Sequence, residues 1–168
     1  MKSKHLFIVL LFVFTLPILA CKKQSQNSTI QIHLTDEPAF YEEVNIDLKE
    51  VNIKFDESST NWMKVETKPG MYDLLKLLGG IDTMIAKGTF PSGTIKEIRL
   101  VLGDNNTIKQ NGTMYPLTIP SGSESGLKIK INKDLRASLD SLTIDFDASL
   151  SVTQEDDGFK LRPVLRVK

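Results

Sequence analysis

The sequence predicts an all-β fold, an antiparallel β-sandwich of immunoglobulin- or transthyretin-like type with at most one short helix. Three observations support this prediction. Apolar residues recur at every second position, which is the period of a half-buried strand. Glycine, proline, asparagine and aspartate separate these runs at turn positions. The apolar phase also reverses within one run, as expected where a strand bends between two sheets.

The first 21 residues have the organisation of a secretory signal that ends in a cysteine. Two lysines precede an apolar run that ends at Leu19, and this run is shorter than the roughly 20 residues that a membrane-spanning helix needs. Ile18-Leu19-Ala20-Cys21 resembles a bacterial lipobox. In a lipobox the thiol is alkylated by diacylglycerol and then becomes the acylated N-terminus. We therefore predict a lipoprotein signal peptide over residues 1–20 and lipidation of Cys21. Cleavage nearby, leaving a free thiol, is the alternative.

The length and the cysteine count of the mature chain indicate one domain without disulfide bonds. Removing 20 of the 168 residues leaves 148, with 19 basic against 21 acidic side chains, so we expect no nucleic-acid partner. Cys21 is the sole cysteine, which excludes disulfides, thiol catalysis and cysteine-bound zinc once it is lipidated. Residues 21–29 are interpreted as the lipidated cysteine and a polar tether, and residues 30–168 as a single β-sandwich domain.

The first strands are predicted from simple alternation. Ile30, Ile32 and Leu34 alternate with polar residues. In the next run the even positions 44, 46 and 48 are apolar, and the odd positions 51, 53 and 55 follow. The phase change at Lys49-Glu50 predicts a β-bulge or a bend at that point.

In the middle of the chain, residues 95–102 form a run apolar enough for a central strand, and two shorter strands are predicted over 115–119 and 127–131. Asn111-Gly112 indicates a two-residue hairpin. The one predicted helical segment lies near Ile81 to Lys87.

The C-terminal region predicts a hairpin. Apolar and polar residues alternate from Leu142 to Thr153, and a type I′ turn at Asp157-Gly158 would set Leu150 opposite Leu165 and Asp147 opposite Lys168. Pro163 lacks an N–H donor, so the last strand should be an edge strand or irregular there.

Catalytic groups are scarce in the mature sequence. His33 is its only imidazole, on the polar face of the first predicted strand, and no G-x-S-x-G motif is present. One histidine cannot satisfy zinc. We therefore expect no catalytic residues, no cofactor and no enzyme.

Calcium is the one metal for which the sequence offers ligands, because calcium accepts six to eight oxygens. The weak candidates are Asp36, Asp104, Asp145 and Asp147. In the alternative interpretation Asp147 pairs with Lys168 and the loop residues cap turns. Asp36, Asp104 and Asp147 in one cleft would favour a calcium- or carboxylate-dependent hydrolase of envelope polymers.

Two further groups of residues are candidates for ligand contact. Ser121, Ser123 and Ser125 lie in a glycine-rich segment that could be a ligand-contacting loop or a simple connection. The aromatic residues Trp62, Tyr72 and Tyr115 could stack on a sugar, although core packing also explains them.

Several segments of the chain together resemble a bacterial family. They are YDLLKL from Tyr72, GTFPSGTIKEIRLVLGDNN from Gly88, YPLTIPSGSESGLKI from Tyr115, and LTIDFDASLSV followed by FKLRPVLRVK. The family is catalogued as domain of unknown function 4382, and the resemblance runs from about Ile30 to Lys168. It implies a secreted or lipid-anchored, β-rich protein. It brings no catalytic residues, because the family has no established activity.

The sequence thus favours a lipid-anchored, non-enzymatic module that binds a ligand or partner in the cell envelope. The alternatives are the hydrolase described above and a structural subunit of a surface assembly. The expected partners are the membrane, through the lipid anchor, and an envelope protein or glycan. We predict export by the general secretory pathway to the outer membrane, with the domain facing the periplasm, since Lys22 is not the aspartate that marks inner-membrane retention.

Overall fold

Alternating apolar residues become strands along most of the chain. The computed structural model describes residues 27–58, 60–120, 126–136 and 139–168. Thirteen strands in these ranges form one mixed sheet that curls into a half-barrel. The strands are β1 (Asn27–Thr35), β2 (Glu43–Lys54), β3 (Met63–Thr67), β4 (Gly70–Asp73), β5 (Thr83–Pro91), β6 (Gly93–Leu102), β7 (Thr107–Gln110), β8 (Thr113–Thr118), β9 (Leu127–Leu135), β10 (Leu139–Phe146), β11 (Val152–Glu155), β12 (Gly158–Leu161) and β13 (Leu165–Val167).

The sheet branches at β2. One path runs β11-β12-β8-β7-β2-β3-β5-β1-β10-β13. The long strand β2 also pairs with β4 and β6, and β6 in turn pairs with β9. β9 and β13 therefore end two different branches of the sheet.

The predicted β-rich class is confirmed, but the antiparallel-only arrangement is wrong. β1 runs parallel to β10, and β8 runs parallel to β12. Neither pair is joined by a hairpin, so no tight turn forces opposite directions on the two strands. The predicted sandwich is not confirmed, since the strands are linked in one curled sheet. β1 begins at Asn27, within the segment assigned to the tether.

Apolar residues that alternate along the strands form the core. Ile30, Ile32 and Leu34 of β1 are fully buried, as their alternation predicts, and Phe146 is among the largest fully buried side chains. Burying a side chain of this size contributes about 1.5–3 kcal/mol relative to leaving it exposed.

The phase change in β2 is a β-bulge, as predicted. β2 crosses the sheet as one strand, and its register against β6 shifts between Leu48 and Glu50. The extra residue rotates the following side chains by one position, so Leu48 and Val51 both face the core.

The predicted hairpin at Asn111-Gly112 is also confirmed. Gln110 pairs with Thr113 across the turn. The φ angles of Asn111 and Gly112 are 53° and 75°, as a type I′ turn requires. The run over 95–102 becomes β6, which lies between β2 and β9 and is therefore a central strand.

The helix predicted near Ile81 to Lys87 is wrong, because most of this segment belongs to β5, paired with β1 and β3. Pairing on both edges outweighs the local helical preference. Helical turns occur instead as a 3₁₀ turn, Leu74–Leu77, and as α1, Ala148–Ser151. Among the described residues, neither helical turn has the length or apolarity needed to span a membrane.

The predicted C-terminal register is wrong. The alternating run is interrupted by α1, whose N-cap Asp147 accepts a hydrogen bond from the Leu150 amide at 3.0 Å. β11 then pairs with β12 in a register that sets Val152 opposite Leu161. β13 pairs with β10 instead of β11. Pro163 lies between β12 and β13, so the predicted irregularity there is confirmed.

Candidate functional site

A groove lies between β9 and the C-terminal segment that carries β13. It consists of two neighbouring cavities of about 650 and 440 Å³, and both are lined by Ile129 and Leu165. Pro120 and Pro163 lie at one end, and Leu142 of β10 lies at the other. We call this feature the β9 groove.

Both strands that border the β9 groove have one unpaired edge. Within the described ranges, β9 pairs only with β6, and β13 only with β10. An edge strand presents N–H and C=O groups that no neighbour satisfies. The groove therefore combines unpaired backbone with the apolar side chains of Leu127, Ile129 and Leu165.

The lining of the β9 groove is basic. Among the described residues, the lining of its two cavities includes six basic side chains and no acidic one. The basic residues are Lys128, Lys130, Lys133, Arg162, Arg166 and Lys168.

Most of these cations have carboxylate partners outside the groove lining. Arg162 lies 2.7 Å from Glu155, and Lys133 lies 3.7 Å from Asp140. Lys130 is 4.0 Å from Glu57, and its side chain is 78% exposed. The pairs of Lys130 and Arg162 are the more exposed ones. Exposed ion pairs contribute little free energy, so an acidic ligand can compete for these two cations at small cost.

A group of carboxylates lies behind β13 and includes three of the four calcium candidates. Asp36, Asp145 and Asp147 are all buried. Lys168 Nζ lies 3.0 Å from both Asp145 Oδ2 and Glu37 Oε1. Arg166 Nη2 lies 3.7 Å from Asp147 Oδ2. The pairing predicted between Asp147 and Lys168 is thus replaced by Asp145 with Lys168.

Asp104 is separate from this group. It is exposed and lines a small cavity of about 220 Å³ with Gly103 and Leu117. No group of three or more His, Cys, Asp or Glu side chains in the described parts of the chain could hold a metal ion. Two cations of the chain itself, Lys168 and Arg166, lie against Asp145 and Asp147.

Asp36 has the largest electrostatic perturbation in this group. Burial raises the pKa of Asp36 to about 6, and the charges of Asp145 and Asp147 add to this effect. A hydrogen bond from the Ala148 amide to Asp36 (2.9 Å) acts in the opposite direction. Its other oxygen, Oδ2, has no hydrogen-bond partner among the described residues. A hydrogen bond from Lys168 lowers the pKa of Glu37 below its usual value.

We predict that Asp36→Asn becomes more stable relative to the parent protein as the pH rises. The folded pKa of Asp36 lies above the unfolded value of 3.8, so ionisation between pH 4 and 6 costs folding stability. Asparagine avoids this cost, and the difference in unfolding free energy should grow by about 2 kcal/mol from pH 4 to pH 7. Urea denaturation at several pH values measures it. Glu37→Gln is the control and should change with the opposite sign, because the folded pKa of Glu37 is lowered. Parallel pH curves for Asp36→Asn and the parent protein would refute the prediction.

The histidine and the aromatic candidates have separate local partners. His33 is partly buried, and its Nδ1 lies 2.7 Å from Asp82 Oδ1. Trp62 lies against two cations, Lys54 at 5.1 Å and Arg99 at 4.6 Å from the ring centre.

The two tyrosines also differ in their surroundings. The Tyr72 hydroxyl donates to the Lys68 carbonyl at 2.7 Å, whereas the Tyr115 ring packs against Phe159 with 5.2 Å between ring centres. The candidate residues Cys21, Ser121, Ser123 and Ser125 lie outside the described residues.

Sequence reasoning missed the β9 groove. Lys128 and Lys130 stand at alternate positions of the sequence and are exposed on β9. Their repetition, together with the basic residues of RPVLRVK, is the only signal of the groove in the sequence. Nothing local shows that these two segments lie side by side.

The comparison with known families adds one result. The family model described as Domain of unknown function (DUF4382) matches residues 27–163. The chain belongs to this DUF4382 family. The match includes all of β9 and ends at Pro163, before β13. Searches of curated proteins and of solved structures found no match. Membership in the DUF4382 family therefore gives no activity.

Proposed function

We propose that this protein is a lipid-anchored, non-enzymatic module of the cell envelope that binds an anionic partner in the β9 groove. The observation that carries the proposal is the groove lining, which among the described residues has six basic side chains and no acidic one. The anchor is the lipidated Cys21. The protein is exported by the general secretory pathway and faces the periplasm from the outer membrane.

The arrangement of the titratable groups supports binding over catalysis. His33 is held by Asp82 at 2.7 Å. The buried carboxylates Asp145 and Asp147 face Lys168 and Arg166. These contacts stabilise the fold and orient the C-terminal wall of the groove.

A calcium- or carboxylate-dependent hydrolase is the second candidate, favoured by the proximity of Asp36, Asp145 and Asp147 behind β13. Asp104 does not join them, and Lys168 already neutralises Asp145. Thermal unfolding separates the two candidates. Millimolar calcium should raise the unfolding midpoint if the carboxylates bind calcium, and should leave it unchanged under our proposal.

We predict that reversing the charges on β9 weakens binding of poly-L-glutamate about tenfold or more. The variant is Lys128→Glu/Lys130→Glu, measured in the full-length protein in neutral detergent at about 0.1 M salt. Two reversed charges, each costing up to about 1 kcal/mol near the surface, account for this factor. A second variant, Lys128→Gln/Lys130→Gln, should show a smaller loss in the same direction.

The matched control reverses two exposed lysines elsewhere, Lys68→Glu/Lys87→Glu. These positions lie outside the groove lining. The control should bind poly-L-glutamate within twofold of the parent protein. Equal weakening in both double variants would show that net charge, and not the β9 groove, determines binding.

A further inference from the structure

We propose that the occupant of the β9 groove is an extended acidic polypeptide segment that adds to β9 as a further strand. This inference rests on the proposed binding function and specifies its ligand. It follows from the backbone, the side-chain alternation and the size of the groove.

The backbone of β9 is suited to strand addition. β9 contains nine residues, and β6 is its only partner among the described strands. Its other edge can therefore form main-chain hydrogen bonds with an extended peptide. The opposite wall does not satisfy that edge, because β13 pairs with β10 and the segment before it, which contains Pro163, forms no strand.

The side chains of β9 indicate what the added strand must carry. Leu127, Ile129 and Ile131 face inward, and Lys128 and Lys130 are exposed. Cross-strand pairs are favourable when apolar residues meet apolar ones and opposite charges meet. A strand that alternates apolar and acidic residues satisfies both faces of β9.

Charge also disfavours two occupants that the chain itself could provide, a second copy of β9 and the tether. If a second copy paired through β9, lysines would meet lysines, which destabilises a sheet. Lysines on an edge strand prevent such self-pairing. The tether begins with Lys22 and Lys23, so it carries the same sign of charge as the groove. An acidic segment of another polypeptide fits where these do not.

The dimensions fit a short segment. Residues 127 to 133 of β9 line the two cavities, which at about 3.3 Å per residue gives an edge of roughly 20 Å. A partner segment of about six or seven extended residues would cover this edge.

The test uses a fluorescent octapeptide of alternating glutamate and valine and the full-length protein in neutral detergent. Two matched peptides have the same length. One is N-methylated at alternate residues, which removes the hydrogen-bond donors of one edge but keeps every charge. The other has lysine in place of glutamate. Inorganic polyphosphate serves as an anion without a peptide backbone.

We expect the Glu–Val peptide to bind at least tenfold more tightly than its N-methylated form or polyphosphate, and the Lys–Val peptide to show no binding. The Lys128→Glu/Lys130→Glu variant should reverse this preference and bind the Lys–Val peptide. A gain of binding of this kind also shows that the variant is folded. Hydrogen exchange of the β9 amides should slow at least tenfold with the Glu–Val peptide bound.

Each other outcome overturns a defined part of the account. Equal binding of the methylated and unmethylated peptides would refute strand addition while leaving the groove as an anion site. Tighter binding of polyphosphate than of any peptide would do the same and would indicate an anionic polymer. If none of the three anionic probes binds, the proposed function is refuted as well. These probes are the Glu–Val peptide, poly-L-glutamate and polyphosphate. The β9 lysines would then serve only to prevent self-pairing.

Discussion

Replacing Cys21 by alanine is expected to abolish acylation of the protein completely. The thiol of Cys21 is the only thiol in the chain, so no other residue can form the thioether to diacylglycerol. Each buried methylene of an acyl chain contributes about 0.8 kcal/mol to membrane affinity, and two chains already give stable anchoring. The loss should therefore remove stable attachment altogether.

Metabolic labelling with an alkyne fatty acid measures this effect. The parent protein and the tether control Ser25→Ala should both be labelled, and Cys21→Ala should not. With residues 1–20 replaced by a non-lipoprotein secretory signal, the Cys21→Ala chain should appear in the soluble periplasmic fraction. Label on Cys21→Ala, or its absence from the parent protein, would contradict the lipidation of Cys21.

The largest expected effect on stability comes from Glu97→Ala. Glu97 Oε2 lies 3.1 Å from Lys54 Nζ, and the two side chains are only 11% and 8% exposed. Trp62 covers Lys54 from one side. Removing the carboxylate leaves a buried ammonium group without its counter-charge, which should lower the free energy of unfolding by about 3–5 kcal/mol.

Urea unfolding of three variants tests this prediction. Glu50→Ala is the matched control, because Glu50 pairs with Lys64 at 2.7 Å on the same sheet but both side chains are exposed. Its cost should stay below about 1 kcal/mol. The double variant Lys54→Met/Glu97→Leu removes both charges and should recover most of the lost stability. Similar losses for Glu97→Ala and Glu50→Ala would contradict the assignment of a buried ion pair.

This ion pair is also relevant to the β9 groove. Glu97 lies on β6, directly opposite Lys130 of β9, and β6 is the strand that holds β9 in the sheet. The Lys54–Glu97 pair links β2 to β6 on the outer face. We infer that it helps to fix the strand to which the groove wall is attached.

Local chemistry predicted the features that depend on a few neighbouring residues. The bulge at Lys49 followed from a change of phase, because side chains alternate strictly along a strand. The turn at Asn111-Gly112 followed from the tolerance of these residues for positive φ. Neither conclusion required knowledge of the rest of the chain.

The features that sequence reasoning missed depend on distant segments. Residues 148–151 alternate like a strand, yet Asp147 caps a helical turn there, which removes them from the hairpin. The turn between β11 and β12 lies at Asp156-Asp157, one residue earlier than predicted. The parallel contact of β1 with β10 joins residues more than 100 positions apart. Asp36 meets Asp145 and Asp147 for the same reason, and Asp104 does not.

The β9 groove is the clearest example of a feature that depends on distant segments of the chain. Its walls come from β9 and from the last residues of the chain, which are close together only because β13 pairs with β10. The alternating lysines of β9 are visible in the sequence as an exposed face. Their role in a binding site becomes apparent only when the unpaired edge and the opposite wall are known.

Site-specific photo-crosslinking in living cells tests most directly whether the β9 groove is the binding surface. Benzoylphenylalanine would replace Lys130 in the groove or, as a control, Met114 of β8, which is 48% exposed and does not line the groove. We predict a discrete adduct from position 130 that is absent from position 114, is lost when Lys128→Glu is added, and contains a polypeptide with an acidic segment. The absence of an adduct at position 130, or the same adducts at both positions, would contradict the account.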